Sequence, residues 1–360
     1  MRVDDARCAL TMRVDEELGR ARTPPAAFYT DPARLDLEYR SVFPLSWQYA
    51  GHAGQLSAPG DYFTVQQGHE PLLLLNDDGV IRGYFNVCRH RAGPLAEGAG
   101  QAPRLVCRYH GWTYDLRGQL QRAPEMTGTQ DFDVDTIRLR PVQVHVFGPL
   151  IFAALDPATA PFEEFHPRLA AECAPFRIER LRHIVTIDYP VAANWKLYVD
   201  NYLEGYHVPM VHPALNREID YRAYVTELAP RRVLQHAPVR AESATVYRQD
   251  AGAPDARYYW LYPNLMLNLY GGHLQVNAVI PDGVDRTVVR FAWFGPEADA
   301  LRANGPEFRA LVRFAETVQA EDAAICERVY RNLRSSAYVP GPYCVARESG
   351  VHHFHRLMLP

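Results

Sequence analysis

Two short loops constrain this chain more than any other part of it. Cys88-Arg89-His90 and Cys107-Arg108-Tyr109-His110 each offer one sulfur and one imidazole, with sixteen residues between His90 and Cys107. Neither loop can complete a metal's coordination alone, so the fold has to bring two turns together around one site. The surroundings read as strand. Tyr62-Phe63-Thr64-Val65, Pro71-Leu72-Leu73-Leu74-Leu75 and Val80-Ile81-Arg82-Gly83-Tyr84-Phe85 are β-type runs. Asn76-Asp77-Asp78-Gly79, between the last two, is a strong hairpin signal. A second hairpin runs from Thr113 to Leu120, and strands continue to about Leu155 before the Pro/Ala-rich linker that opens at Asp156-Pro157.

Two Cys and two His also make a common structural zinc set, but the usual finger begins Cys-x2-Cys and this one begins Cys-x-His. A Rieske centre needs the pairing found here, with Cys88 and Cys107 on one iron and His90 and His110 on the other. Imidazole in place of thiolate raises the reduction potential of such a cluster.

The second half carries another constellation. Asn194 is a natural N-cap, and nothing interrupts the run after it until Gly205. Read as one helix, it sets Trp195, Val199, Tyr202 and Tyr206 on an apolar stripe and Asp200, Glu204 and His207 on another face. Pro209 is expected to stop it, with His212 in the turn beyond. A longer helix from Phe308 to Leu333 carries Phe308, Leu311, Ala315, Val318, Ile325, Val329 and Leu333 on one stripe, and Asp322 interrupts that stripe. A carboxylate at a core position is costly unless it is paired, hydrogen-bonded or bound to metal. His207, His212 and Asp322 would supply two histidines and one carboxylate to a non-haem iron, leaving positions open for dioxygen. Glu204, one turn from His207, is the candidate partner for that imidazole. Asp200 and Asn201 are further catalytic candidates beside Glu204, with capping or orienting neighbours as the plainer reading.

Other residues take plainer readings. His52, His69, His145 and His183 are assigned no role. Cys8, Cys173, Cys326 and Cys344 read as buried thiols. Tyr202, Tyr206, Tyr259, Trp260 and Trp293 fit a core by their spacing, with a cation–π cage for a quaternary ammonium as the sharper alternative. The tail His352-His353-x-His355 reads as a packed terminal segment.

A length of 360 residues suits two domains. The fold class is α+β: an all-β unit over 45–156, and a second unit from 1–44 and 157–360. In the second, a helix starts at Asp31-Pro32. Strands near Arg182–Pro190, Tyr258–Leu261, Leu265–Tyr270, Leu274–Ile280 and Thr287–Phe294 form an antiparallel sheet wrapped on the long helix. A net charge of −4 points to neither nucleic acid nor an anionic membrane. No apolar run approaches a membrane span, no signal-peptide core opens the chain, and a cytoplasmic location is expected. No GxGxxG or flavin signature is present, so electrons have to come from a separate reductase.

These motifs in this order resemble the large (alpha) subunits of the Rieske non-haem iron oxygenases, over nearly the whole chain. The Cys88–His90 and Cys107–Asp115 segments match the cluster motif. Asn194-Trp195-Lys196, Asp200-Asn201, Glu204, His207 and His212 match the iron motif, and Glu321-Asp322 followed by Glu327 matches its third-ligand segment. Glu204 follows Asn201 by three rather than the four residues to an Asp found in many ring-hydroxylating members. That pattern, with the closing Glu348–His355 segment, resembles the choline monooxygenase and carnitine oxygenase branch. The resemblance implies a Rieske β-domain, a helix-grip (START-like) catalytic domain, a 2Fe-2S cluster and mononuclear Fe(II). It also implies an NAD(P)H-dependent flavin or ferredoxin-type reductase, and a homotrimer in which Glu204 links His207 to His110 of the next subunit. The expected activity is hydroxylation or oxidative demethylation of a small organic substrate, with a quaternary ammonium compound as the expected class. Aromatic ring hydroxylation is the alternative, and a Rieske electron carrier with a non-catalytic binding domain is the non-enzyme alternative.

Overall fold

Four consecutive leucines, Leu72 to Leu75, are all fully buried, as only a strand covered on both faces allows. The pleat sends Leu73 and Leu75 into one core and Leu72 and Leu74 into another. The structure is a computed structural model that describes residues 12–238, 240, 256–270, 272–300 and 305–359; Cys8 lies outside them. It divides into two compact units, Phe43–Phe162 on one side and Met1–Val42 with Glu163–Pro360 on the other.

The first unit is built from Gln48–His52 (β1), Asp61–Gln67 (β2), Glu70–Asp77 (β3), Val80–Phe85 (β4), Ala99–Gln101 (β5), Leu105–Val106 (β6), Thr113–Tyr114 (β7), Leu120–Arg122 (β8), Pro141–Phe147 (β9) and Leu150–Ala154 (β10). One sheet has the order β1-β10-β9-β4-β3-β2-β5, and β6-β7-β8 form a small second sheet. Asp78 and Gly79 close the β3–β4 hairpin with φ of 51° and 91°, the left-handed pair that a two-residue hairpin turn requires. Leu73, Leu75 and Tyr84 share a core with Cys88, Cys107, Trp112 and Tyr114, so the two Cys/His loops rest on packed apolar floor.

In the second unit the strands are Arg182–Val191 (β11), Val225–Ala229 (β12), Arg232–His236 (β13), Arg257–Leu261 (β14), Leu265–Tyr270 (β15), His273–Pro281 (β16) and Thr287–Gly295 (β17). They form one antiparallel sheet, β11-β17-β16-β15-β14-β13-β12. Around it lie the helices Pro32–Ser41 (α1), Trp195–Tyr202 (α2), Val208–Val211 (α3), Pro213–Glu218 (α4), Pro306–Asn332 (α5) and Ser349–Met358 (α6). Helix α5 packs on α2 and β11. None of the described helices is long and apolar enough to cross a membrane.

The helix after Asn194 is shorter than its sequence suggests. Asn194 caps it, accepting from the Lys196 N–H at 3.1 Å, but it ends at Tyr202. A Cβ on Gly205 would lie 2.9 Å from the Tyr224 ring, so the chain passes there only as glycine and turns. Pro209 sits in the first turn of α3, where its missing N–H costs nothing; it begins a helix rather than stopping one. Tyr206 is therefore not part of an apolar stripe and is 55% exposed.

A buried charge cluster anchors α2. The Glu38 carboxylate, fully buried on α1, accepts from Lys196 Nζ at 2.6 Å, Trp195 Nε1 at 2.9 Å and Arg34 Nε at 3.3 Å. The His-containing tail is a packed helix, α6. On it His355 bonds Tyr343 through Nδ1 at 2.6 Å and meets Asp200 through Nε2 at 2.9 Å.

Candidate active site

The exit of α2, the start of α4 and the middle of α5 converge. His212 Nε2 lies 3.1 Å from His207 Nε2 and 2.9 Å from Asp322 Oδ1, and His207 Nε2 lies 3.7 Å from the same oxygen. The far side of each imidazole is already engaged. Glu204 Oε1 lies 2.6 Å from His207 Nδ1, and Glu321 Oε2 lies 2.6 Å from His212 Nδ1. Carboxylates at both Nδ1 atoms fix the tautomers, so both Nε2 lone pairs face the Asp322 oxygen. Three acceptors turned on one point, with His212 1% exposed, call for a cation; the donor set fits an iron of the two-histidine, one-carboxylate kind. Burial alone would depress His212, but Asp322 and Glu321 beside it hold its pKa above the usual 6.5.

The neighbours divide by direction. Asn201 Nδ2 donates to Asp322 Oδ1 at 2.5 Å and so faces the cluster of ligating groups. Asp200 faces away, accepting from the Tyr29 hydroxyl at 2.6 Å and pairing with His355. Glu204 also accepts the His207 backbone N–H at 3.0 Å, which fixes the turn that carries the histidine. Glu321 is a site residue whose role is not read from the sequence. It entered only as a neighbour of Asp322, and its contact with His212 spans 109 positions. Glu327 lies outside the site and accepts from the Ala192 N–H.

A cavity of about 130 Å³ opens beside these groups. Its aromatic walls come from Tyr198, Tyr202, Tyr224, Tyr258, Phe291 and Phe314. The five-residue cage considered from the sequence does not form. Tyr259, Trp260 and Trp293 are fully buried core residues, Tyr206 is exposed, and Tyr202 alone of the five lines the cavity. Of the remaining thiols, Cys173 and Cys326 are buried as expected, whereas Cys344 is half-buried.

In the first unit the two loops meet as their composition requires. His90 Nδ1 and His110 Nδ1 are 3.1 Å apart, and His90 stacks on Trp112 at 4.8 Å. The two cysteines are buried, with Cys88 Sγ 3.3 Å from the Tyr114 hydroxyl. Burial and the Cys88 thiol raise the Cys107 pKa, while the backbone N–H groups of Tyr109 and His110 act in the opposite sense, favouring the thiolate. A Cβ on Gly93 would lie 2.8 Å from Cys107 Sγ, so glycine leaves the sulfur its space. Paired sulfurs within and paired imidazoles at the rim fit a Rieske cluster. Arg89, Arg91, Arg104 and Arg108 around the loops are all exposed.

Two family descriptions match the chain: Rieske [2Fe-2S] domain over residues 46–136, and ring hydroxylating alpha subunit (catalytic domain) over residues 178–359. The chain is 34% identical to choline monooxygenase, chloroplastic, of Arabidopsis thaliana, over 95% of this chain and 83% of that protein. It is 31% identical to the glycine betaine monooxygenase oxygenase subunit of Chromohalobacter salexigens, over 92% and 83%. Among solved structures, a quaternary ammonium Rieske monooxygenase shares the fold with a TM-score of 0.87 at 24% identity, covering 97% of this chain and 99% of that one.

Proposed function

This chain belongs to the Rieske non-haem iron oxygenases as an alpha subunit, and on that premise we propose that it hydroxylates or oxidatively demethylates a small substrate bearing a quaternary or methylated ammonium group. As an oxygenase of this family it uses a Rieske 2Fe-2S cluster and a mononuclear iron, and it depends on a reductase. The net change takes R–H, dioxygen, two electrons and two protons to R–OH and water. At an N-methyl carbon the product is a carbinolamine, which releases formaldehyde, a proton and the demethylated amine.

The observation that carries the substrate reading is the cavity wall. Six aromatic side chains line it, and a cation held over an aromatic ring gains about 0.5–2 kcal/mol per contact. The relatives named for choline and glycine betaine point the same way. In this reading His207, His212 and Asp322 hold the iron, and Cys88, Cys107, His90 and His110 hold the cluster. Iron bound there supplies the reductive activation of dioxygen. Asn201 keeps the Asp322 oxygen aimed at the site, and Glu204 and Glu321 hold the two Nδ1 atoms so that both Nε2 atoms point at it.

Glu204 has a second part in the proposal. Its carboxylate backs His207, and a further hydrogen bond from His110 of a neighbouring copy would couple the two metal sites in a homotrimer. Exposed Tyr109 beside His110, and exposed Tyr206 and Met210 beside His207, offer apolar surface for such a contact. The arginines around the cluster loops supply a positive face for an acidic reductase.

The test is oxygen uptake by the holoenzyme with a reductase and NAD(P)H, comparing trimethylammonium compounds with aromatic acids. Coupled product formation from a trimethylammonium compound is expected. Coupled turnover of an aromatic acid with no response to any ammonium compound would replace this reading with ring hydroxylation. Glu204→Gln should keep both metals and lose most single-turnover cluster oxidation. Normal cluster oxidation in that variant would remove the bridge, and a fully active monomer would remove the trimer.

A further inference from the structure

The sheet face of the cavity carries a row of amides. Gln235 on β13 pairs directly with Tyr258 on β14, Tyr258 with Asn268 on β15, and Asn268 with Gln275 on β16. Asn277 follows two residues on, on the same face of β16. Opposite, Gln319 sits on α5 one turn before Asp322. All of them line the cavity, and each of the five amides is less than one-tenth exposed. Amides are a costly choice for a buried sheet face, about 1–3 kcal/mol for each group left without a partner.

Much of the row is tied in place. The Tyr202 hydroxyl donates to Asn268 Oδ1 at 2.7 Å, and Asn268 Nδ2 donates to Gln275 Oε1 at 3.2 Å. Gln235 donates to the Tyr202 carbonyl at 2.7 Å and accepts from the Tyr224 hydroxyl at 3.0 Å. Gln319 accepts from the Tyr198 hydroxyl. Among the described residues, Asn277 Oδ1 and Gln319 Nε2 have no hydrogen-bond partner. The cavity wall thus keeps a spare acceptor and a spare donor, and an amide stays neutral whichever way it is turned.

We infer that this amide row reads a neutral hydroxyl on the substrate, so that the site takes a trimethylammonium alcohol and rejects a trimethylammonium carboxylate of similar length. The inference rests on the substrate reading above and narrows it. A hydroxyl both donates and accepts, so it can answer the Asn277 oxygen or the Gln319 N–H. A carboxylate only accepts, and it sets its charge against the Asn277 oxygen. The ionisable side chains lining the described wall are Glu204, Asp322, His207, His212 and tyrosines, with no lysine or arginine among them to pair with it. Sites built on hydrogen-bonding groups reject mismatched ligands strongly, and a factor of about 100 is a modest expectation.

The experiment is isothermal titration of the anaerobic holoenzyme with choline, glycine betaine, tetramethylammonium and the uncharged choline analogue 3,3-dimethylbutan-1-ol. Choline is expected to bind at least about 100-fold tighter than glycine betaine. Asn277→Leu should weaken choline about tenfold and leave tetramethylammonium, which has no hydroxyl, within about twofold. Glycine betaine binding as tightly as choline would overturn the inference while leaving the ammonium reading intact. So would an equal loss of both ligands in the variant. If the uncharged analogue binds as tightly as choline, the ammonium reading fails, and this inference falls with it. The wild-type comparison decides the matter even if Asn277→Leu does not fold.

Discussion

Glu321→Gln isolates the carboxylate that holds His212 from behind. The change keeps side-chain length and leaves an amide oxygen able to accept from Nδ1, so the geometry survives and the charge does not. Glu321 Oε2 sits 2.6 Å from His212 Nδ1, and the imidazole is 1% exposed, so water is poorly placed to substitute. Loss of such a supporting group typically costs 10–100-fold in metal affinity, about 1.4–2.7 kcal/mol. The upper half of that range is expected here, because a neutral amide also stabilises the metal-bound imidazole less. The assay is titration of cobalt(II) or iron(II) into protein stripped of its mononuclear metal but retaining the cluster, read by fluorescence or calorimetry. The visible spectrum of the cluster should be unchanged, since its ligands lie in the other unit. An affinity within twofold of wild type would show that Glu321 touches His212 without supporting it.

Further outcomes follow from the structure. Asp322→Ala should empty the mononuclear site and abolish oxygenation while the Rieske spectrum persists, and His110→Ala should do the reverse to the spectrum; metal analysis with visible absorption checks both. Glu38→Gln strips the partner from a buried Lys196, whose pKa burial lowers and Glu38 pushes back up, so a loss of about 3–5 kcal/mol is expected. A melting temperature within about 2 °C of wild type would contradict it. His212 titrates above its usual value in the metal-free protein. Its contribution to metal-free stability is therefore complete below about pH 6.5 and fades as pH rises through the raised pKa. Iron has to displace that proton, so its apparent affinity should climb over the same interval; an affinity that is flat from about pH 6 to 8 would contradict this.

What could be read from the sequence was local or repeated. The Asp78-Gly79 turn, the strands β14 to β17 and the long helix bearing Asp322 follow from turn chemistry and periodicity, which act over a few residues. The residue types at their spacing carried both proposed metal sites. The end of α2 was not legible, because it is set by Gly205 passing the Tyr224 ring nineteen positions on. Strands β12 and β13 were missed as well: β12 is largely exposed and offers no apolar run. The burial of Arg34, Glu38 and Lys196 could not be seen either, since each charge is tolerable only in the company of the others.

The amide row shows the same limit most sharply. Gln235, Tyr258, Asn268 and Gln275 are spread over forty-one positions and share no periodic signal. They become one surface only through strand register, where a slip of one residue would turn each of them to the opposite face. The two imidazoles divide along the same line. Glu204 reaches His207 from three positions away in the chain, so its role could be inferred. Glu321 reaches His212 across 109 positions, while its neighbour Asp322 supplies the facing oxygen. Two consecutive residues of α5 thus set the back and the front of one histidine. The position of that helix therefore controls both the orientation of His212 and the open side of the metal site.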